Sequence, residues 1–300
     1  MPTRDRPDDL ARAAASVLDQ DTGGVEFELV VVDDGATDAV APALERLTAD
    51  RRVRVVRTEG GVGPCVARNR GLAAAEGELV AFCDDDDAWL PGAGRTVLQY
   101  LDAHPEVVAA SVWHVVHHAA DGAEVVFRGP LHYGPVQLLW QNVVAVPFAV
   151  VRRSVLPFTV DFDPALPTGE DWDLWLRCSR AGAVRTVPFV GYRYTQHPGT
   201  RVTRSVAAQV TGRRNFVVKH GPEMSGACRM YHEAVLAGYE GGRRGTLRAL
   251  AGAPGGRRRD AAVAGAVYAL GYAAVRAGLR RHDPGLQARV MASLLSRGRT

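Results

Sequence analysis

The chain has 300 residues, 47% of them hydrophobic, enough to build one large domain or one domain with an extension. Its four cysteines (Cys65, Cys83, Cys178, Cys228) are scattered without a Cys-x-x-Cys pair, which argues against structural zinc and a disulfide framework and fits a reducing cytoplasm. The net charge of +3 hides an asymmetry: residues 1–200 carry 18 basic and 28 acidic side chains, residues 201–300 carry 18 and 5, and the basic residues lack the interleaved aromatics of a nucleic-acid binder.

In chain order, Met1 to Pro7 is polar and shows no secretory signal. Pro7-Asp8-Asp9 opens a predicted helix with Leu10, Ala14, Val17 and Leu18 at helical spacing. Phe27 to Val32 is a continuous β-branched run, as expected of a strand buried on both faces. Thr37 or Asp38 starts a second helix carrying Val40, Leu44 and Leu47, and Val53 to Val56 is the next strand. A glycine-rich loop, Gly60 to Pro64, leads into a helix through Ala67 to Ala75. Glu76-Gly77 breaks it, and a strand over 78–83 follows. Strand and helix alternate with short links, which implies a parallel, doubly wound sheet.

After Pro91 a helix (about 92–103) precedes Val107 to His117, Asp121-Gly122 and Val125 to Phe127, read as a hairpin. A mixed α+β half continues to Tyr194, and residues 206–300 read as helices rich in alanine and arginine. The uncharged stretch Ala261 to Val275 is shorter than the ~20 residues of a membrane span, so it reads as a packed or interfacial helix. The basic last hundred residues either dock on the acidic part or touch an anionic membrane surface or a phosphate-bearing substrate.

Three carboxylate groups fall at strand ends or a helix start. Asp33-Asp34-Gly35 follows the Phe27–Val32 run, Asp84 to Asp87 follow the apolar Leu79–Cys83, and Glu170-Asp171 precede Trp172, Trp175 and Leu176. Taken singly, each reads equally as turn acids, a solvated loop or an N-terminal helix charge. Open α/β sheets place ligands at the carboxyl ends of their strands. Packed hard oxygen ligands there suit Mg²⁺ or Mn²⁺ shared with substrate phosphates.

The series resembles the family 2 glycosyltransferases with the GT-A fold. It rests on Pro2-Thr3-Arg4-Asp5-Arg6, Asp33 to Asp38, Gly63 with Ala67 to Gly71, Glu76-Gly77-Glu78 with Phe82 to Asp87 and Pro91, Gly169 to Arg177, and Tyr192-Arg193-Tyr194 with His197. The resemblance covers residues 2 to about 200. It implies a GT-A domain over 1–200, with a nucleotide-binding half (1–90) and a mixed α+β acceptor half (91–200), followed by a basic helical extension (201–300). Thr3 and Asp34 would hold base and ribose, with Asp5 and Asp85 in the same donor-binding set, and Arg68 would lie near the base or diphosphate. Asp84 and Asp86 match the Asp-x-Asp motif, Asp84 toward ribose and Asp86 on the metal. Asp171 matches the catalytic base, with Glu170 beside it. His197 matches a histidine that reaches the metal in some members, its other reading being an ordinary loop histidine.

The family normally opens with an apolar strand directly before the Pro-Thr pair, and that strand is lacking here. Its loss would leave backbone groups of two neighbouring strands unpaired, at ~1–3 kcal/mol each; the expectation is a start further upstream, the alternative a degraded or partner-completed protein. Neither a Gln-x-x-Arg-Trp motif nor several membrane spans are found, which favours transfer of one sugar per encounter. The implied reaction is inverting, metal-dependent transfer from a UDP- or dTDP-sugar to a saccharide, lipid-linked or small-molecule acceptor. The alternatives are nucleotidylyl transfer and a non-catalytic nucleotide-sugar-binding module. The acceptor is expected against residues 110–165, including Trp113, His114, His117 and Trp140, unless the tryptophans are core. The expected location is the cytoplasm, peripheral to the membrane at most.

Overall fold

The computed structural model describes residues 1–35, 37–142, 148–197, 205–252, 259–262 and 264–265. Ala36 of the Asp33–Asp38 stretch lies outside them, as does most of Ala261–Val275.

The amino-terminal part is an α/β unit. β1 (Pro2–Thr3), β2 (Leu29–Asp33) and β3 (Val53–Arg57) form a parallel sheet in that order. α1 (Pro7–Leu18) opens with Pro7 and two acids in its first turn, where proline lacks only an orphan N–H and acids meet the helix dipole. It packs Leu10, Ala14 and Val17 against Leu29 and Val31 of β2 and Val40 and Leu44 around α2 (Ala41–Thr48). Val30 and Val32 turn to the opposite face, against Ala67 of α3 (Pro64–Ala74). The β-branched run of β2 is therefore buried on both sides, as its composition predicts.

A second, mixed sheet carries the rest: β4 (Leu79–Ala81), β9 (Ala149–Arg152), β6 (Val107–His118), β10 (Ala183–Gln196) and β5 (Ala88–Trp89), in that spatial order. β7 (Glu124–Phe127) pairs antiparallel with β6 through the predicted Asp121-Gly122 turn, where Gly122 has φ +70°. β8 (His132–Tyr133) pairs with β10. The long β6–β10 pairing is parallel, while β4, β5 and β9 run antiparallel to their neighbours. α4 (Ala93–Ala103) covers one face with Val97 and Leu101. The other face is covered by α5 (Pro135–Trp140) and α6 (Glu170–Ala181). α7 (Val206–His220) and α8 (Gly226–Ala251) add Phe216, Cys228 and Tyr231 to that same core, and Met224 joins it from the link between them. Ser205 and Ser225 cap these last two helices by accepting from Ala208 N and Cys228 N. No helix among the described residues is long and apolar enough to cross a membrane.

The expected missing strand needs a correction in detail. Met1 to Thr3 do line the β2 edge: Val32 N donates to Met1 O (2.8 Å) and Asp34 N to Thr3 O (2.9 Å). Only the carboxyl half of β2 is paired this way, and β4 lies in the other sheet.

Candidate active site

β4 leads to Asp84–Asp87, a turn in which Asp87 N donates to Asp84 O (3.3 Å), and the turn sends the four side chains to different partners. Asp85 is buried. It accepts from Thr3 Oγ1 (2.8 Å) and Arg6 Nη1 (3.2 Å). Burial pushes its carboxyl up to about 6, although Thr3 and Arg6 pull the other way. Asp87 is fully buried and accepts from the Tyr192 hydroxyl and from Thr195 N (2.8 Å), tying the cluster to β10. Burial, with Asp84 and Asp86 close by, also pushes Asp87 up. Asp86 meets Arg6 Nη1 at 3.1 Å and His197 Nε2 at 3.0 Å. Asp84 accepts from Arg68 Nη2 at 2.8 Å.

Arg68 joins this cluster to the third acidic group. Its side chain is 8% exposed, and its other terminal nitrogen donates to Glu170 Oε1 at 2.9 Å. Glu170 and Asp171 form the first turn of α6, which follows Gly169 at φ +82°. The exposed amides of a helix start favour acids there. Asp171 accepts from Asn142 Nδ2 (2.9 Å) and from Trp172 N (2.7 Å). Burial, followed by the charge of Glu170, pushes Asp171 up to about 7. A carboxylate with that affinity is suited to general-base work near neutral pH.

The donor-binding residues expected near base and ribose fall close by. Thr3 supports Asp85. Asp34 is buried and accepts from Thr58 Oγ1 (2.6 Å), Val62 N (2.9 Å) and Gly63 N (3.0 Å). In this structure it therefore fastens the glycine-rich loop. Asp5 has φ +54°, a left-handed conformation that aspartate tolerates, and accepts from Thr37 Oγ1 at 2.5 Å. His197 Nε2 lies 3.0 Å from Asp86 Oδ2. Oxygens of Asp84, Asp86 and Asp87 lie within 4.8 Å of one another. Both Asp87 oxygens already accept protein donors, while Asp84 and Asp86 could turn carboxylate oxygens to a cation, with His197 against Asp86. Hard carboxylate oxygens of this kind fit Mg²⁺ or Mn²⁺.

A cleft of about 330 Å³ opens beside Asp86, bounded by His117, Arg193 and His197. Of the residues expected at the acceptor, His117 is on the lining of this cleft. Trp140 is not: it is 2% exposed and packs on Tyr231, so it belongs to the core. Trp113 donates Nε1–H to Gly129 O, and His114 stacks on Phe127, its burial holding the imidazole down at about 4. Arg6, Asp87 and Asn142 were given no role by sequence reasoning. Arg6 lies 79 and 80 residues from its partners, so only the fold reveals it.

Comparison with known proteins gives the same frame. Succinoglycan biosynthesis protein ExoO of Rhizobium meliloti is 31% identical over 220 residues, covering 64% of this chain and 58% of ExoO. The colanic acid glycosyl transferase WcaA of Escherichia coli (a putative assignment in its own name) is 28% identical, covering 59% of this chain and 63% of WcaA. The chain thus spans just over half the length of these relatives. Among solved structures, S. aureus TarS in complex with UDP-GlcNAc superposes with a TM-score of 0.62 at 19% identity, covering 88% of this chain and 77% of that one. The mannosyltransferase PcManGT of Pyrobaculum calidifontis, in complex with GDP-Man and Mn²⁺, gives 0.56 at 19% identity, over 98% and 83%. These structures share the GT-A fold. The family model described as Glycosyl transferase family 2 matches residues 1–156, and the chain belongs to that family.

Proposed function

We propose that the chain transfers a sugar from a nucleoside-diphosphate sugar to an acceptor hydroxyl, inverting the anomeric centre and adding one sugar per encounter. The observation that carries this is Arg68, which bonds Asp84 and Glu170 at once and so fixes the helix bearing Asp171 beside the aspartate cluster. Asp171 takes the proton of the attacking hydroxyl on a carboxylate oxygen. Asn142 and Trp172 N orient that carboxylate. One base and no covalent nucleophile mean a single displacement, hence inversion. Asp84, Asp86 and His197 would hold Mg²⁺ or Mn²⁺. A bound cation supplies Lewis-acid stabilisation of the negative charge that builds on the leaving diphosphate. Arg6 and Arg68 add fixed positive charge at the same place.

The UDP-GlcNAc and GDP-Man complexes of the fold neighbours support a nucleotide-sugar donor. UDP- and dTDP-sugars remain the first donors to try. Relatives named for succinoglycan and colanic acid biosynthesis support a saccharide acceptor, free or lipid-linked. The basic excess after residue 200 suits a cytoplasmic protein in peripheral contact with an anionic membrane.

Calorimetric titration of UDP and dTDP, with and without Mn²⁺, tests the site. Mn²⁺-dependent binding that disappears in Asp86→Ala is expected. Equal, metal-independent binding by both proteins would remove the cluster from the donor site. Pyrophosphate release from a sugar 1-phosphate and a nucleoside triphosphate would instead favour nucleotidylyl transfer. Donor binding without turnover, unaffected by Asp171→Asn, would leave a binding module.

A further inference from the structure

The segment 159–165 contains no helix or strand, yet it is tied to three helices. Asn69 of α3 donates Nδ2 to Phe162 O and accepts from Phe162 N on Oδ1, both at 2.7 Å. One amide side chain thus pairs both backbone groups of Phe162, as a neighbouring strand would, across 93 residues. Arg177 of α6 bonds Asp161 twice, at its carboxylate (2.9 Å) and at its carbonyl. From α7, Lys219 Nζ meets Asp163 Oδ2 at 2.7 Å, and Asn215 Nδ2 donates to Ala165 O at 2.6 Å. These bonds hold Phe162 in one place. Its side chain is fully buried and packs edge-on against Phe82, ring centroids 5.1 Å apart.

The guanidinium of Arg68 lies over that ring, with Cζ 5.5 Å from its centroid. The two terminal nitrogens of Arg68 are taken by Glu170 and Asp84. Its Nε is buried and has no hydrogen-bond partner among the described residues. Bonds at the two tips alone leave a guanidinium free to tilt about the line that joins them. The face of Phe162 supplies a third restraint, since a desolvated cation is attracted to an aromatic face.

We propose that Asn69 and Phe162 are positioning residues, which hold the Arg68 guanidinium at the angle from which it reaches Asp84 and Glu170 together. Phe162 acts through Arg68, and Asn69 acts through Phe162. The effect ends at the first turn of α6, where Arg68 bonds Glu170 beside Asp171. This inference rests on the role proposed for Arg68 in sugar transfer, but the restraint on Arg68 can be read without turnover.

Two variants separate this restraint from the fold. Phe162→Leu keeps an apolar filling and removes the ring face, and Asn69→Ala removes both bonds to Phe162. Nitrogen-15 NMR of labelled arginine reads the Arg68 guanidinium, with its signals assigned from Arg68→Lys. Thermal unfolding reads the fold. In the unaltered protein, hindered rotation should resolve the Nη signals of Arg68. Both variants should stay folded and merge those signals. With a UDP- or dTDP-sugar donor, each should lower kcat/KM by roughly 10–100-fold, since a displacement of about 1 Å can cost ~10²-fold. In an Arg68→Ala background the same substitutions should cost less than roughly 2-fold, because the residue they act through is gone. Nη signals that are merged in the unaltered protein, or that stay resolved in the folded variants, would overturn the proposal. So would losses that multiply in full in the Arg68→Ala background. Should a variant fail to fold, Asn69→Asp, which loses only the Nδ2 donor, carries the same measurements. Absence of turnover in the unaltered chain would count against the proposed reaction, and the Nη signals would then decide the positioning by themselves.

Discussion

Asp173 offers a stability test that needs no substrate. It lies on α6, two residues beyond the proposed base, and its side chain is 0% exposed. Arg177 Nε (2.9 Å), Lys219 Nζ (2.9 Å) and His220 Nε2 (2.8 Å) surround it. The His220 tautomer follows from its neighbours: Arg180 can only donate to Nδ1, so Nε2 carries the proton given to Asp173. Burial disfavours the Asp173 charge, but these partners outweigh it and hold the carboxyl down at about 2, against 3.8 ordinarily. Because the folded value is depressed, the stabilisation is fully present above pH ~4 and is lost as pH falls towards 2. The difference corresponds to about 2–3 kcal/mol at pH 7, and roughly half of that remains at pH 3. Asp173→Asn keeps the shape and removes the charge. Urea denaturation of both proteins from pH 7 to pH 3 measures the gap. It should be about 2–3 kcal/mol at pH 7 and narrow steadily with acid. A gap below 1 kcal/mol at pH 7, or one that does not change with pH, would refute this account of how α7 is locked to α6.

Asp171→Asn should lower turnover by about 10²–10⁴-fold while leaving donor affinity unchanged, as measured by donor hydrolysis and calorimetry. In the unaltered protein kcat/KM should rise with pH and level off above about 7, because the base must be unprotonated. Asn142→Ala removes a hydrogen bond to the charged form, so its pH midpoint should move up. Asp34→Ala leaves Val62 N, Gly63 N and the Thr58 hydroxyl without their acceptor. Nucleotide affinity should fall, and amide exchange at Val62 and Gly63 should accelerate. Gly212→Ala would put a Cβ 2.2 Å from Thr168 O, so α7 must shift; a loss of about 1–3 kcal/mol in urea denaturation is expected.

The elements were legible where local chemistry and tertiary burial agree. The valines of β2 and the Pro7 start of α1 each carry a pattern that one structure satisfies. The Asp121-Gly122 turn is similar, since glycine accommodates its positive φ cheaply. The acidic groups were legible as a series at strand ends, and the fold brings Asp84 and Glu170 to the same arginine. What stayed hidden depends on distant partners. Nothing near Arg6 marks it as the cation between Asp85 and Asp86, and Asp87 meets Thr195 across 108 residues. Asp34 was assigned to ribose by resemblance, yet its three donors come from the Thr58–Gly63 loop. The break between the sheets was also hidden in part. The sequence pointed to a missing strand, but not to Met1–Thr3 filling half of its place.

The four consecutive aspartates look redundant in sequence and are not so in space. The turn they form divides them into two pairs. Asp85 and Asp87 point inward, where Thr3, Tyr192 and Thr195 bond them and burial opposes their charge. They fasten the cluster to β1 and β10. Asp84 and Asp86 keep 26% and 14% of their side chains exposed and face cationic side chains instead. Glu170 and Asp171 bring two more carboxylates to the same place. Arg6 and Arg68 bond to this group, and His197 meets Asp86. Under the proposed reaction a divalent cation would sit against Asp84 and Asp86 and would offer the phosphates a partner that carboxylates alone deny them. The inward pair, fastened to Thr3, Tyr192 and Thr195, would hold the outward pair in place for it.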